Sequence, residues 1–148
     1  MYKHVLVPTD GSELSGKAVQ HAIGLARALG ARLTAFYASP EYPTPIVAEG
    51  IVLEPVSLED YEARANEEAQ AILQPVVKQA EAAGVSCSGE HLIAAVPWEA
   101  ILKTARKVSA DAIVMASHGR RGLSAMLLGS ETQRVLTHST IPVIVVRG

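Results

Sequence analysis

Asp111-Ala112-Ile113-Val114-Met115-Ala116-Ser117-His118-Gly119-Arg120-Arg121-Gly122-Leu123-Ser124-Ala125-Met126-Leu127-Leu128-Gly129-Ser130 is the stretch that decides how this chain folds. Its opening, Asp111 to Ala116, is a nearly continuous apolar run, the pattern of a strand buried on both faces of a parallel sheet. A glycine-punctuated loop follows. Gly129-Ser130 then opens a short segment, Glu131 to Thr137, that reads as a helix. Strand, glycine loop and helix start, in that order, build a cradle for an anion. Glycine lets backbone N–H groups come close, and the free N–H groups and dipole of the helix start favour negative charge. The loop points to a nucleotide.

Outward from this stretch the chain alternates between strand and helix patterns. His4-Val5-Leu6-Val7 reads as a strand closed by Pro8-Thr9-Asp10-Gly11. A helix follows from about Ser12 to Leu29, with Ala18, Ala22, Leu25 and Leu29 forming a stripe that Val19, Ile23 and Ala26 widen. Gly30 sits where a C-terminal cap belongs, and Arg32 to Tyr37 reads as a second strand. Residues 39 to 56 hold four of the eight prolines, Pro40, Pro43, Pro45 and Pro55. They read as a loop whose apolar residues Ile46, Val47, Ile51, Val52 and Leu53 are expected to pack over something.

Ser57-Leu58-Glu59-Asp60 has the form of a helix start, with Ser57 as N-cap and an acid at the third helical position. Leu58, Tyr61, Ala65, Ala69, Ile72, Val76, Ala80 and Ala83 then recur at spacings of three and four up to Gly84, and Pro75 is expected to kink this long helix. Val85 to about Ile93 is a third strand interrupted by Ser86, Ser88 and Gly89. Pro97 to Val108 is a helix with Ile101, Ala105 and Val108 inward. Asp111 to Ala116 and Pro142 to Val146 are the last two strands. The alternation predicts one α/β domain over residues 1–148, a parallel sheet with helices on both faces joined by right-handed crossovers.

Composition narrows the function. With 148 residues, 49% hydrophobic and 19% charged, the chain has the material for one compact core. A formal net charge of −2 without a basic stripe argues against nucleic acid as partner. The opening Met-Tyr-Lys-His-Val-Leu-Val-Pro lacks signal-peptide features, and no apolar run approaches the ~18 residues of a membrane span. The single cysteine, Cys87, has no intrachain partner. A cytoplasmic location, away from membranes, is expected.

In an open α/β sheet the ligand sits beyond the carboxyl ends of the strands, where strand order reverses. If the first and fourth strands are neighbours there, Pro8-Thr9-Asp10-Gly11-Ser12 and Ala116-Ser117-His118-Gly119 line one crevice. Asp10 then accepts from a ribose hydroxyl or base amine, or holds a metal through water. The plainer alternative makes Asp10-Gly11-Ser12 a turn and helix cap. Arg120 and Arg121 suit phosphate neutralisation; the alternative is two solvated surface charges, which is the favoured reading of Arg121. His118 suits donation to a phosphate, and no partner acid is evident that would make it a catalytic base. His4, His21, His91 and His138 show no metal-ligand spacing. Cys87 and Trp98 read as packing residues.

This combination resembles the universal stress protein family, in its ATP-binding branch. The likeness spans nearly the whole chain: the Val-Leu-Val-Pro-Thr-Asp-Gly-Ser opening, the element order, the long glycine loop and the terminal Pro-Val-Ile-Val-Val strand. The family signature is Gly, two residues, Gly, nine residues, then Gly-Ser or Gly-Thr. Here Gly119, Arg120 to Leu128, and Gly129-Ser130 match it, while Ala116 stands in place of the first glycine.

The resemblance implies a Rossmann-like, adenine-nucleotide-alpha-hydrolase-like sheet of five parallel strands in the order 3-2-1-4-5. It implies that Gly119, Gly129, Ser130 and the amides of Glu131 and Thr132 hold phosphates. Met115, Ala116 and His118 would flank ribose and phosphates, Pro8, Thr9 and Asp10 the adenosine half, and the backbone of Ala38 the adenine edge. ATP, or ADP or AMP, with Mg²⁺ or Mn²⁺ on the phosphates, is the implied cofactor. Two copies would pair through Pro142, Val143, Ile144, Val145 and Val146, and an unnamed protein partner would receive a stress signal. The competing readings are a slow ATPase and an interaction module that binds no nucleotide. Gly129-Ser130 lacks a Walker lysine, and Asp10 and His118 are the only candidates for hydrolysis, so the loop argues for holding a nucleotide more than for cutting one.

Overall fold

The computed structural model describes residues 1–43, 46–53, 56–119 and 127–148. Its elements in chain order are β1 (His4–Pro8), α1 (Glu13–Leu29), β2 (Arg32–Ser39), β3 (Ile46–Ala48), β4 (Ile51–Leu53), α2 (Leu58–Ala82), β5 (Cys87–Ile93), α3 (Pro97–Lys107), β6 (Ala112–Ala116), α4 (Ser130–His138) and β7 (Val143–Val146). Five strands form one parallel sheet in the order β5-β2-β1-β6-β7. Counted over the five strands read from the sequence, this is the expected 3-2-1-4-5.

Alternation along each strand divides the core in two. Val5 and Val7 of β1, with Leu33, Ala35 and Tyr37 of β2, pack under Ala18, Val19 and Ala22 of α1 and Ala69, Leu73 and Val76 of α2. Leu6, Phe36, Ile113 and Met115 face the other way, against Ala100, Ile101 and Ala105 of α3 and Val135 of α4. Both faces of the central strands are therefore covered, which is why their sequences run apolar without alternation. Phe36, Leu6, Leu33 and Ile113 are among the largest side chains fully shut from solvent, each contributing about 1.5–3 kcal/mol by burial.

The helix ends follow the local chemistry. Ser12 caps α1, its side chain accepting from Ser15 N, and Gly30 closes it in the left-handed conformation at φ 65°. Ser57 caps α2 by accepting from Asp60 N. α2 stays helical through Pro75, whose missing N–H leaves the Ala71 carbonyl without its usual helical donor. The expected stripes shift at their ends. Leu29 and Leu58 are 41% and 54% exposed because they lie at helix termini, and Leu73, absent from the expected stripe, is buried at 2%. Its side chain fills the space left by Gly89, where an added Cβ would touch it at 3.4 Å. Gly89 thus belongs to β5 as a packing position rather than an interruption.

The expectation of a loop over residues 39 to 56 is corrected. β3 and β4 form an antiparallel hairpin, with Val47↔Val52 and Ala48↔Ile51 in register. Glu49 and Gly50 join them at φ 51° and 76°, the two positive values that a type I′ hairpin turn requires. The base of the hairpin is clamped. Tyr42 Oη donates to the Val56 carbonyl, Tyr61 Oη to the Pro40 and Glu41 carbonyls, and the two rings meet edge to face at 5.4 Å. Val47, Ile51 and Val52 are exposed rather than packed over the body of the sheet.

Candidate functional site

β1 and β6 are adjacent, with Val5↔Ala112 and Leu6↔Ile113 in register. From β1 the sheet grows toward β2 and β5, and from β6 toward β7, so the order reverses between them. The loop leaving β1 turns to α1 on one face and the loop leaving β6 to α4 on the other. A crevice opens at such a switch point.

The first loop is internally braced. Thr9 N donates to Phe36 O at 2.8 Å, and Thr9 Oγ1 lies 2.9 Å from Ser15 Oγ. Gly11, at φ 78°, donates its N–H to Thr9 Oγ1. Asp10 Oδ1 accepts from Ser12 N at 2.9 Å, the turn that the plainer reading anticipated. The other carboxylate oxygen points across the crevice: a Cβ added to Gly119 would lie 2.7 Å from Asp10 Oδ2. The turn holds one oxygen while the second faces Gly119.

The described ends of the second loop are held together beside β6. Ser117, buried, donates its N–H to Val146 O and accepts from Gly129 N at 2.7 Å. Thr132 Oγ1, also buried, donates to Ala116 O at 2.9 Å. Gln133 adds two bonds, its N–H to Gly129 O and its side chain to Leu128 O. These fasten the α4 N-terminus beside the end of β6. The first-turn N–H groups of Ser130, Glu131 and Thr132 have no acceptor within their own helix. Gly129, at φ −63°, leaves little room for a side chain: a Cβ there would come within 3.1 Å of His118 Cα.

Ala116, in the place of the first motif glycine, closes β6 as a buried strand residue with negative φ. Its methyl lies in the α1-side core, so the replacement costs the backbone nothing. The Met115 side chain packs in the α3–α4 core. His118 is half-buried, its Nδ1 3.3 Å from Ser117 Oγ. Pro8 ends β1, paired with Phe36. Arg120 and Arg121 lie outside the described residues.

Ala38 stands two residues past Phe36, the last residue of β2 paired with β1. In β2, Arg32 and Phe36 bond toward β1 and Leu33 and Ser39 toward β5. By the same alternation the N–H and C=O of Ala38 face the gap beyond the end of β1, over the crevice. Next to it, Ser39 Oγ and His91 Nε2 are 2.6 Å apart, which ties the end of β2 to β5. Burial holds the His91 pKa below its ordinary value, against the opposing charge of Glu68.

Sequence reasoning missed Glu131 as a link between helices. Its Oε2 accepts from Trp98 N at 2.7 Å, at the start of α3. The available signal was Val96, an N-cap residue without a capping side chain. Trp98 itself packs, its ring stacked on His138 at 4.5 Å. Cys87 is half-buried against the α2-side core, and burial pushes its thiol up to about 11. Among the described residues no three His, Cys, Asp or Glu side chains gather as metal ligands, and no helix is long and apolar enough to cross a membrane.

Fold and site together define a doubly wound α/β protein whose polar loops and one helix N-terminus gather at the strand-order switch. The model of the universal stress protein family matches residues 1–147, and the chain belongs to that family. It is 38% identical to universal stress protein MJ0531 of Methanocaldococcus jannaschii, over 99% of this chain and 83% of that protein. The structure of MJ0577 from the same organism superposes with a TM-score of 0.82 at 29% identity, covering 100% of this chain and 97% of that one. A universal stress protein solved in complex with cAMP superposes with a TM-score of 0.72 at 28% identity, over 99% and 97%.

Proposed function

We propose that this chain binds ATP, or ADP or AMP, in the crevice between β1 and β6 and acts as a regulatory stress-response module. One observation carries the reading. The Asp10 carboxylate lies against Gly119 just past β6, and the Gly129 N–H bond to Ser117 O brings the start of α4 to the same strand end, with the family's glycine spacing between them. In this arrangement Ser130, Glu131 and Thr132 offer backbone donors to phosphate, and Gly119 and Gly129 give the backbone room. Arg120 supplies positive charge. Asp10 takes a ribose hydroxyl, Pro8, Thr9 and the Ala38 backbone bound the adenosine, and His118 flanks the phosphates. If Mg²⁺ or Mn²⁺ accompanies the phosphates, Asp10 is the residue that would hold it through water, in place of the ribose contact. The cAMP-bound relative adds weight to an adenine nucleotide as ligand.

The same reading makes the protein a cytoplasmic homodimer. β7 is a sheet edge whose apolar residues Val143 to Val146 leave one row of backbone groups facing outward, and a second copy pairing there would cover it. Mass spectrometry of small molecules released from freshly purified protein tests the nucleotide assignment. ATP, ADP or AMP near one equivalent per chain is the expected result. Protein that emerges empty and gains no thermal stability from millimolar ATP refutes it.

A further inference from the structure

Glu131 is the second residue of α4, inside the turn whose N–H groups the nucleotide reading assigns to phosphate. A carboxylate there ordinarily folds back over its own helix start, which its charge favours. It would then compete with phosphate for the same donors and repel it. The structure places the carboxylate elsewhere. Its Oε2 is 2.7 Å from Trp98 N, a part-buried bond between helices. α3 has reason to take it. Its N-cap, Val96, has no capping side chain and Pro97 has no N–H, so the first turn of α3 needs an acceptor from outside.

The structure assigns Glu131 a positioning role: Trp98 N, at the start of α3, draws its carboxylate away from the anion-binding turn of α4. This rests on the nucleotide reading and deepens it. The phosphate site keeps its N–H donors because a neighbouring helix takes the charge that would block them. The device depends on reach, since the glutamate side chain spans from α4 to α3 and an aspartate is one methylene shorter.

Two substitutions separate reach from charge. Glu131→Asp keeps the charge but falls short of Trp98 N, leaving the carboxylate over the α4 turn. Glu131→Gln keeps the reach and the acceptor oxygen but removes the charge. Isothermal titration of the full chain with Mg-ATP and with adenosine, which has no phosphate, reads the difference. E131D is expected to weaken ATP about five- to tenfold, and E131Q to tighten it about twofold, with smaller changes for adenosine in both. A purely structural cap predicts otherwise. ATP and adenosine shifting in parallel, or E131D and E131Q moving ATP in the same direction, overturns the assignment. If E131D lowers the melting temperature, Val96→Ser restores an N-cap to α3, and the E131D/V96S protein must still bind ATP weakly. Failure of the unmodified chain to bind ATP overturns the nucleotide reading itself, an outcome visible before any variant is made.

Discussion

Gly119→Ala tests the close approach between the two loops of the crevice. Gly119 is not among the glycines at positive φ, so the substitution adds no backbone strain. The added Cβ would lie 2.7 Å from Asp10 Oδ2. An ordinary contact between a methyl carbon and an oxygen is about 3.3 Å or more, so the carboxylate must retreat by about half an ångström or rotate. Rotation pulls Oδ1 from Ser12 N, now at 2.9 Å. Losing that bond costs about 1 kcal/mol, or about 2–4 °C of melting temperature for a chain of this size. The effect on ligand is larger. A hydrogen bond from a ribose hydroxyl to a displaced carboxylate forfeits about 1.5–3 kcal/mol, a ten- to hundredfold rise in Kd. Titration calorimetry with ATP, paired with thermal denaturation, separates the two. A G119A protein that binds ATP within twofold of the parent refutes the placement of Asp10 as a ligand contact.

Other expectations follow from single contacts. Thr132→Val removes the donor to the buried Ala116 carbonyl, and the melting temperature should fall by about 2–6 °C, the equivalent of about 1–2 kcal/mol; an unchanged value contradicts the role given to that bond. His4 is buried with Nε2 2.7 Å from Thr34 Oγ1, and burial, reinforced by Arg32, holds its pKa below the ordinary 6.5. The unfolded chain therefore binds the proton first, so stability present above 6.5 declines as pH falls through that value. Urea titrations at neutral and mildly acidic pH should show a loss that His4→Asn reduces, and equal losses in both proteins would exclude His4 as the source. Ile144→Asp puts a charge on the β7 edge and should yield a folded monomer in sedimentation velocity, whereas a persistent dimer moves the interface elsewhere.

The sheet was legible because four of its five strands are compact apolar runs closed by glycine, proline or a polar turn, and the fifth, the interrupted β5, falls where the alternation calls for a strand. The stripe from Ala18 to Ala26 and the caps Ser12, Ser57 and Gly30 placed the long helices almost to the residue. The hairpin at Ile46–Leu53 was hidden by its prolines, which dominate the composition of that stretch. Its signal was local, two apolar triplets around a two-residue turn ending in Gly50. The site divides in the same way. The glycine spacing pointed to the candidate site, because the loop and the α4 start are contiguous in sequence. Asp10 against Gly119 and Glu131 against Trp98 are pairs brought together only by strand order and helix packing. Neither periodicity nor motif spacing carries such a contact. Ala116 shows the converse: where the chain departs from the family spacing, the strand supplies ordinary dihedrals and a core for the methyl.

Titration of the intact chain with Mg-ATP tests the central claim most directly. Saturable binding at one nucleotide per chain is the predicted outcome, with the melting temperature rising about 5–10 °C once ATP reaches about a hundredfold its Kd. No binding heat and no thermal shift at about 10 mM ATP would contradict a nucleotide site between β1 and β6.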